Sequence, residues 1–406
     1  MGIVVGANRI DDNGTSVALT DAVALNDPDI GLIELRYAYG PDLIPPEAPS
    51  SNGMWRYRDL LPIDPGPVRY PLAIGGTPLM ASPGLRRESG LADLWLKDET
   101  RSPTGSNKDR ATALVLEDAL RRNITTITAA STGNVAVSLA VGAAAAGVRA
   151  VIFVPAHVKE GKLRLMLLAG ATVFRVKEGY EAAFELSRRA ARAFGWLDRN
   201  TGTNPWTVEA KKTVAFEIWE QLDRDVPDAV IVPVGDGTTL SAMAKGFREL
   251  MACGGTDRLP RLVGVQAKGC QPLKHAWEGS GDPPMVADTI ADGIAVVKGI
   301  NAVTALRDVR ATHGGFVAVS DVQILAAIQV LGSRAGIIAE PAGAAGYAAL
   351  EIALRDGLLH PGERVVVLVT GSGLKTPQYL EPQGSAMTIH ADLDEVEAAL
   401  AALPGS

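Results

Sequence analysis

Four short segments of this chain carry residue types that could do chemistry. In Pro103-Thr104-Gly105-Ser106-Asn107-Lys108-Asp109-Arg110, a lysine stands just inside a predicted helix start. The positive end of a helix dipole and the neighbouring Arg110 both favour the uncharged amine, the form that attacks an aldehyde. The same residues also describe a capped helix with a surface lysine. Gly235-Asp236-Gly237-Thr238-Thr239 follows an apolar run and opens a helix. Its glycines let backbone N–H groups approach a phosphate, and the helix start and two threonine hydroxyls add attraction. It is neither a Walker A loop nor a full GxGxxG, and an ordinary strand-to-helix turn reads the same way. Asp236 is awkward beside a phosphate, so its side chain is expected to point away and leave only its N–H in use. Ser131-Thr132-Gly133-Asn134 offers hydroxyls and N–H groups that can hold a carboxylate, or that simply cap a helix. Thr370-Gly371-Ser372-Gly373-Leu374-Lys375 places one or two hydroxyls after a valine-rich run.

Regular alternation supplies the elements that would position these segments. Strands are predicted over 124–129, 150–154, 171–176, 229–234 and 364–369. Helices are predicted over 135–146, 162–168, 180–194 and 240–251. Strands alternating with helices argue for an α/β fold with mainly parallel sheets covered on both faces. Ligands in such sheets bind beyond the carboxyl ends of strands, which is where the segments at 131–134, 235–239 and 370–375 fall. Residues 1–50 are turn-rich and weakly patterned, and read as an N-terminal extension with a short hairpin. Asp392 caps a last amphipathic helix with Leu393, Val396, Leu400 and Leu403 on one side.

The 406 residues are 47% hydrophobic, enough for a large core and more than one domain. A net charge of -7 argues against nonspecific nucleic-acid binding, so an anionic substrate would need a local cationic pocket. Cys253 and Cys270 can build neither a disulfide scaffold nor a four-ligand zinc site, and the five histidines are scattered, so no metal is expected. A reducing cytoplasm fits this usage. No signal peptide and no membrane-spanning run is expected.

Order and spacing over residues 54–380 resemble the fold type II (tryptophan synthase β-like) pyridoxal-phosphate enzymes, and among them the threonine synthase family. The Lys108 segment is similar to PTGSFKDR, STGNVAVSLA to STGNxxxSLA, PVGDGTTL to the family's phosphate loop, and VTGSGLKTP to TGHGLKDP. The resemblance implies two domains with twisted, mainly parallel sheets: residues 51–113 and 201–385 as a large cofactor-binding domain, 114–200 as a smaller mobile one, and 386–406 as a tail. It implies pyridoxal 5'-phosphate held by Lys108, with Asn134 at its phenolic oxygen, Thr370 at its pyridine nitrogen and Gly235, Asp236, Gly237, Thr238 and Thr239 around its phosphate. Ser131, Thr132 and Gly133 would take a substrate α-carboxylate. Lys97, Thr104, Asn204 and Lys212, with Arg110 nearby, would take a substrate phosphate.

The implied reaction is β,γ-replacement on O-phospho-L-homoserine, giving L-threonine and phosphate, in a homodimer. Some residues depart from the family. Asn107 stands for phenylalanine, Ser372 for histidine, Lys211 for glutamine and Thr376 for aspartate. Residues 289–296 and 340–344 look more like threonine/serine dehydratases. A dehydratase, another β- or γ-replacement of the cysteate- or cysteine-synthase kind, and a non-catalytic ligand-binding protein on the same fold are the alternatives.

Overall fold

The structure, a computed structural model, describes residues 4–10, 16–17, 32–46, 53–201, 204–281 and 287–402. Two sheets organise it. The larger has six strands in the order Gly315–Val319, Arg261–Ala267, Ala229–Pro233, Arg364–Val369, Asp93–Asp98 and Leu79–Ala81. All neighbours are parallel except the last pair. The smaller has four parallel strands in the order Thr172–Val176, Arg149–Pro155, Thr126–Ala130 and Leu197–Asp198.

The central strands of the larger sheet are near-continuous apolar runs because both their faces are buried. Along Ala229–Pro233 and Arg364–Val369, Val230, Val232, Val366 and Leu368 enter one core, while Ala229, Ile231, Val365 and Val367 enter the other. That period of two is the strand's own geometry, and it places one apolar layer on each face.

The predicted elements are present, with small shifts at their ends. The helix expected over 135–146 runs Asn134–Ala146 and stops at Gly147, whose φ of +67° suits glycine. The strand expected from Ile124 begins at Thr126, because the Ile124 N–H still bonds the Ala119 carbonyl of the preceding helix. The helix expected from Leu240 begins at Thr238, two residues earlier.

Residues 4–37 hold more than a hairpin. Val4–Arg9 lies between Ser16–Val17 and Ile33–Tyr37 in an antiparallel sheet. Polar contacts tie it down: the Tyr37 hydroxyl donates to Glu209 at 2.8 Å, Lys245 donates to the Leu35 carbonyl, and Arg248 and Arg307 meet Glu34. The C-terminal helix Leu393–Ala401 forms on the Asp392 cap but buries no residue, and Leu393 and Leu400 are exposed. Leu403 lies outside the described residues. No helix among the described residues is long and apolar enough to cross a membrane.

All four chemistry-bearing segments lie beyond the carboxyl ends of parallel strands, and backbone bonds draw them together. The Asn107 N–H donates to the Thr370 carbonyl at 3.0 Å, Ser372 N–H to Gly105 at 2.8 Å, and Glu340 N–H to Gly371 at 2.9 Å. From the smaller sheet's side, Asn134 Nδ2 donates to Glu340 Oε1 at 2.6 Å.

Candidate active site

Lys108 is the first residue of the helix Lys108–Arg121 and is half-buried. The turn before it is fixed by Gly105, whose φ is +67° and where a Cβ would stand 2.9 Å from that of Ser372. The Lys108 amine makes no hydrogen bond among the described residues. Burial pushes it below the ordinary lysine range, and Arg199 adds to this while Asp236 and Glu340 oppose it. A reachable amine with a lowered pKa is what Schiff-base chemistry requires.

Buried polar atoms without partners gather round this amine. Asn107 Oδ1, Asn134 Oδ1, Glu340 Oε2 and Lys211 Nζ are all buried and unbonded. Native interiors leave few such atoms, so a cluster of them marks a place built for a polar guest. Burial raises Glu340, while Lys162, Lys375 and the Asn134 bond pull it back. Thr370 is buried, and its hydroxyl makes no bond among the described residues.

The glycine loop lies at the start of the helix Thr238–Ala252. First-turn N–H groups have no intrahelical acceptor, and those not capped by a neighbouring side chain are available to an anion. Thr239 is buried within that turn, and the Thr238 hydroxyl accepts from Asn301 Nδ2 at 2.7 Å. Asp236 does not point away as expected: its Oδ1 accepts from the Thr238 N–H at 3.0 Å. The cause is local, since an aspartate carboxylate readily caps the N–H two residues on. Gly237 has a φ of +91°, and a Cβ there would stand 2.8 Å from the Asn301 carbonyl oxygen. Gly237→Ala is therefore expected to distort the loop and weaken pyridoxal-phosphate binding by about tenfold or more, read by titrating the apoprotein with the cofactor. Unchanged affinity would mean that the loop does not hold it.

The amine, the unbonded acceptors around it and the helix-start donors fit pyridoxal phosphate. Lys108 would hold its aldehyde carbon. Gly235 to Thr239 would hold its phosphate, Asn134 its phenolic oxygen and Thr370 its pyridine nitrogen. Ser131, Thr132 and Gly133 stand half-buried at the start of the helix Asn134–Ala146, with Ser131 Oγ accepting from the Gly133 N–H at 3.1 Å.

The residues expected to take a substrate phosphate are not brought to this place as free donors. Lys97 Nζ gives all three protons to internal acceptors: the Thr77 carbonyl at 2.7 Å, Glu217 at 2.7 Å and Gln221 at 2.8 Å. Lys212 is held by Glu209 at 2.5 Å and Glu249 at 2.7 Å, over the Tyr37 ring. The Thr104 hydroxyl donates to Asp109 at 2.6 Å. Asn204 Nδ2 donates to the Asp198 carbonyl at 2.8 Å, and its Oδ1 accepts from the Trp206 N–H at 3.0 Å. Arg110 is enclosed by Glu99 and Glu217. These side chains are framework.

Sequence reasoning missed Arg199. It is buried, bonds Thr112, Thr201 and the Lys108 carbonyl, and has no carboxylate within ion-pair distance among the described residues. Nothing in its surroundings, Asp198-Arg199-Asn200, marks it out.

Comparison with known proteins decides the family. Residues 70–371 match the pyridoxal-phosphate dependent enzyme family. The chain belongs to that family. Threonine synthase of Methanocaldococcus jannaschii is 36% identical over 86% of this chain and 87% of its own length. That of Mycobacterium bovis is 36% identical over 82% of this chain and 92% of its own. Among solved structures, a threonine deaminase of T.th. superposes with a TM-score of 0.61 at 26% identity, over 73% of this chain and 92% of that one. Diaminopropionate ammonia lyase of Escherichia coli gives 0.65 at 19% identity over 77% and 88%, a likeness of fold. This pyridoxal-phosphate enzyme is thus threonine-synthase-like, with Lys108 at the centre of its candidate site.

Proposed function

We propose that this enzyme converts O-phospho-L-homoserine and water to L-threonine and phosphate by β,γ-replacement. The observation that carries the reading is the 36% identity to a threonine synthase across 86% of the chain. Bound pyridoxal phosphate supplies the electron sink. Ser131, Thr132 and Gly133 orient the substrate by its α-carboxylate. With pyridoxal phosphate bound, the Lys108 amine would remove the α-proton and then a β-proton, phosphate would leave from Cγ, and the amine would return protons at Cγ and, after water adds at Cβ, at Cα. A lowered amine pKa favours the base form for the first step. A Thr370 hydroxyl at the pyridine nitrogen, unlike a carboxylate, would not hold that nitrogen protonated.

Residues 114–200 act as a mobile lobe that closes over the substrate. The Lys162–Asp292 pair at 2.8 Å and the Asn134–Glu340 bond at 2.6 Å span from the helices of the smaller sheet to loops of the larger, and they suit a closed state.

Product analysis tests the reaction. Holoenzyme given O-phospho-L-homoserine is expected to release phosphate and threonine in equal amounts. A dehydratase remains the second reading, because it needs no second anion pocket and Lys97, Thr104, Asn204 and Lys212 are all engaged internally. Ammonia and 2-oxobutanoate from L-threonine, with no turnover of the phosphorylated substrate, would decide for it.

A further inference from the structure

Five lysines are buried among the described residues: Lys97, Lys162, Lys211, Lys212 and Lys245. Four of them meet a carboxylate. Lys97 has Glu217, Lys162 has Asp292, and Lys212 and Lys245 share Glu209 and Glu249. Lys211 meets none, and its Nζ has no hydrogen-bond partner among the described residues. An amine with no partner inside a protein is costly, and a methionine of similar volume would pack there without that cost. The fold therefore holds Lys211 at a sacrifice of stability.

Its position says what it faces. Lys211 ends the short helix Trp206–Lys211, which packs against both the helix that Lys108 begins and the helix that the glycine loop begins. Consecutive helical residues diverge by about 100°. Lys212 turns to Glu209 and Glu249, so Lys211 is directed away from that pair, and its buried Nζ lies within reach of the Lys108 charge. Burial and then the charge of Lys108 push the Lys211 amine well below its ordinary range, with Asp236 opposing and Arg199 adding to the shift. Arg199, buried against the Lys108 carbonyl, is likewise lowered by burial, to about 10. Asp236 is the one acid whose charge bears on all three cations, and it already caps the Thr238 N–H. Glu340 also bears on Lys108, and Asp109 and Asp198 on Arg199, but neither Lys211 nor Arg199 has a carboxylate within ion-pair distance among the described residues.

We propose that Lys211, with Arg199 beside it, binds the second anion of the substrate, the phosphate-like group on the side chain of an anionic amino acid. The inference deepens the replacement reaction proposed above and puts the substrate's distal oxyanion where the four framework residues cannot. Burial disfavours the charged form of Lys211 when the pocket lacks an anion, and an arriving phosphate-type oxyanion favours it. Binding is then accompanied by proton uptake. A phosphate at this place has two sources, the substrate and the cofactor, and the proposal commits to the substrate.

The test uses holoenzyme and inorganic phosphate, so it does not depend on which amino acid is turned over. Phosphate affinity is measured by calorimetry in two buffers of different ionisation enthalpy, for the parent, Lys211→Met and Lys211→Arg. Lys211→Met is expected to fold with an unchanged or higher melting temperature and to bind pyridoxal phosphate within about twofold of the parent. It should lose about tenfold or more in phosphate affinity, together with the proton uptake. Lys211→Arg should recover most of the affinity but not the uptake. With O-phospho-L-homoserine, KM should rise more than kcat falls. Weakened cofactor binding with unchanged holoenzyme phosphate affinity would assign Lys211 to the cofactor and overturn the proposal. So would phosphate affinity unchanged in Lys211→Met. If the parent binds phosphate through Lys211 but does not turn over O-phospho-L-homoserine, the proposed reaction fails and the anion site stands.

Discussion

Lys108→Ala is expected to give a folded protein that cannot hold pyridoxal phosphate covalently and whose turnover falls by roughly 10³-fold or more, since one group supplies both attachment and proton transfer. The fold should survive, because the amine makes no hydrogen bond whose loss would strand a partner, and alanine suits the first turn of the helix Lys108–Arg121. Three readouts separate the roles. The visible absorbance of lysine-bound cofactor should be absent after the variant is mixed with pyridoxal phosphate. Borohydride should fix no cofactor to it, although it fixes one per parent chain. Added small amines should restore part of the proton transfer but not the covalent attachment. Burial lowers the Lys108 amine below the ordinary range, so capture of the cofactor by the parent should stay efficient at a pH where an exposed lysine would be almost wholly protonated. A variant that keeps the absorbance and the parent's rate would remove Lys108 from the chemistry.

How much of this was legible beforehand depends on how far apart the interacting residues lie in sequence. The strands and helices from Thr126 to Phe194, and the strand-loop-helix at Ala229–Pro233, were readable because their apolar periodicity and their glycine and proline stops are local. The four chemical segments were readable for the same reason: each is a short run at a strand end. Lys97 was not. It reads as a cation in a polar stretch, and its carboxylate and amide partners, Glu217 and Gln221, come 120 and 124 residues later. Lys212 has Glu209 three residues before it, but Glu249 arrives only through the packing of two helices. The strands before Tyr37 were weakly patterned because much of their docking is polar, through Tyr37, Glu34 and the Leu35 carbonyl. The C-terminal helix shows the converse. Its apolar stripe was clear in the sequence, yet the described residues offer it no surface to cover it. Lys211 stood out only as a departure from a resembling motif, and its lack of a partner became visible only once the core closed around it.

The same framework that removes Lys97 and Arg110 from substrate binding predicts the largest loss of stability. Glu217 joins two buried cations. Its Oε2 takes Lys97 at 2.7 Å, and its two oxygens take Arg110 at 2.6 and 2.7 Å, while Glu99 holds the other edge of the guanidinium at 2.7 and 2.9 Å. Burial alone would raise the Glu217 carboxyl, but Arg110 and Lys97 outweigh it and hold the group far below the ordinary carboxylate range. Two cations and two anions balance in this cluster, so removing one anion leaves a cation buried without its counter-charge. Glu217→Ala is expected to destabilise the fold by about 3–5 kcal/mol, most of it the penalty on Lys97 and Arg110. Glu217→Gln keeps the shape and some of the hydrogen bonds and should cost less, about 1.5–3 kcal/mol. Pairing Glu217→Gln with Lys97→Met removes one charge of each sign and should recover part of that loss, a coupling that a double-mutant cycle reads directly. Denaturant midpoints of the holoenzyme measure these variants and Lys97→Met alone, with inactivation half-lives serving if unfolding is irreversible. A Glu217→Ala protein within about 1 kcal/mol of the parent would show that water or a rearranged Glu99 compensates the cations, and the cluster would then be no framework. Arg110 lies two residues past Lys108 on one helix, so the cluster also anchors the start of that helix. Glu217→Gln should therefore lower kcat even under conditions where the variant remains folded, by loosening the seat of the amine rather than by touching substrate.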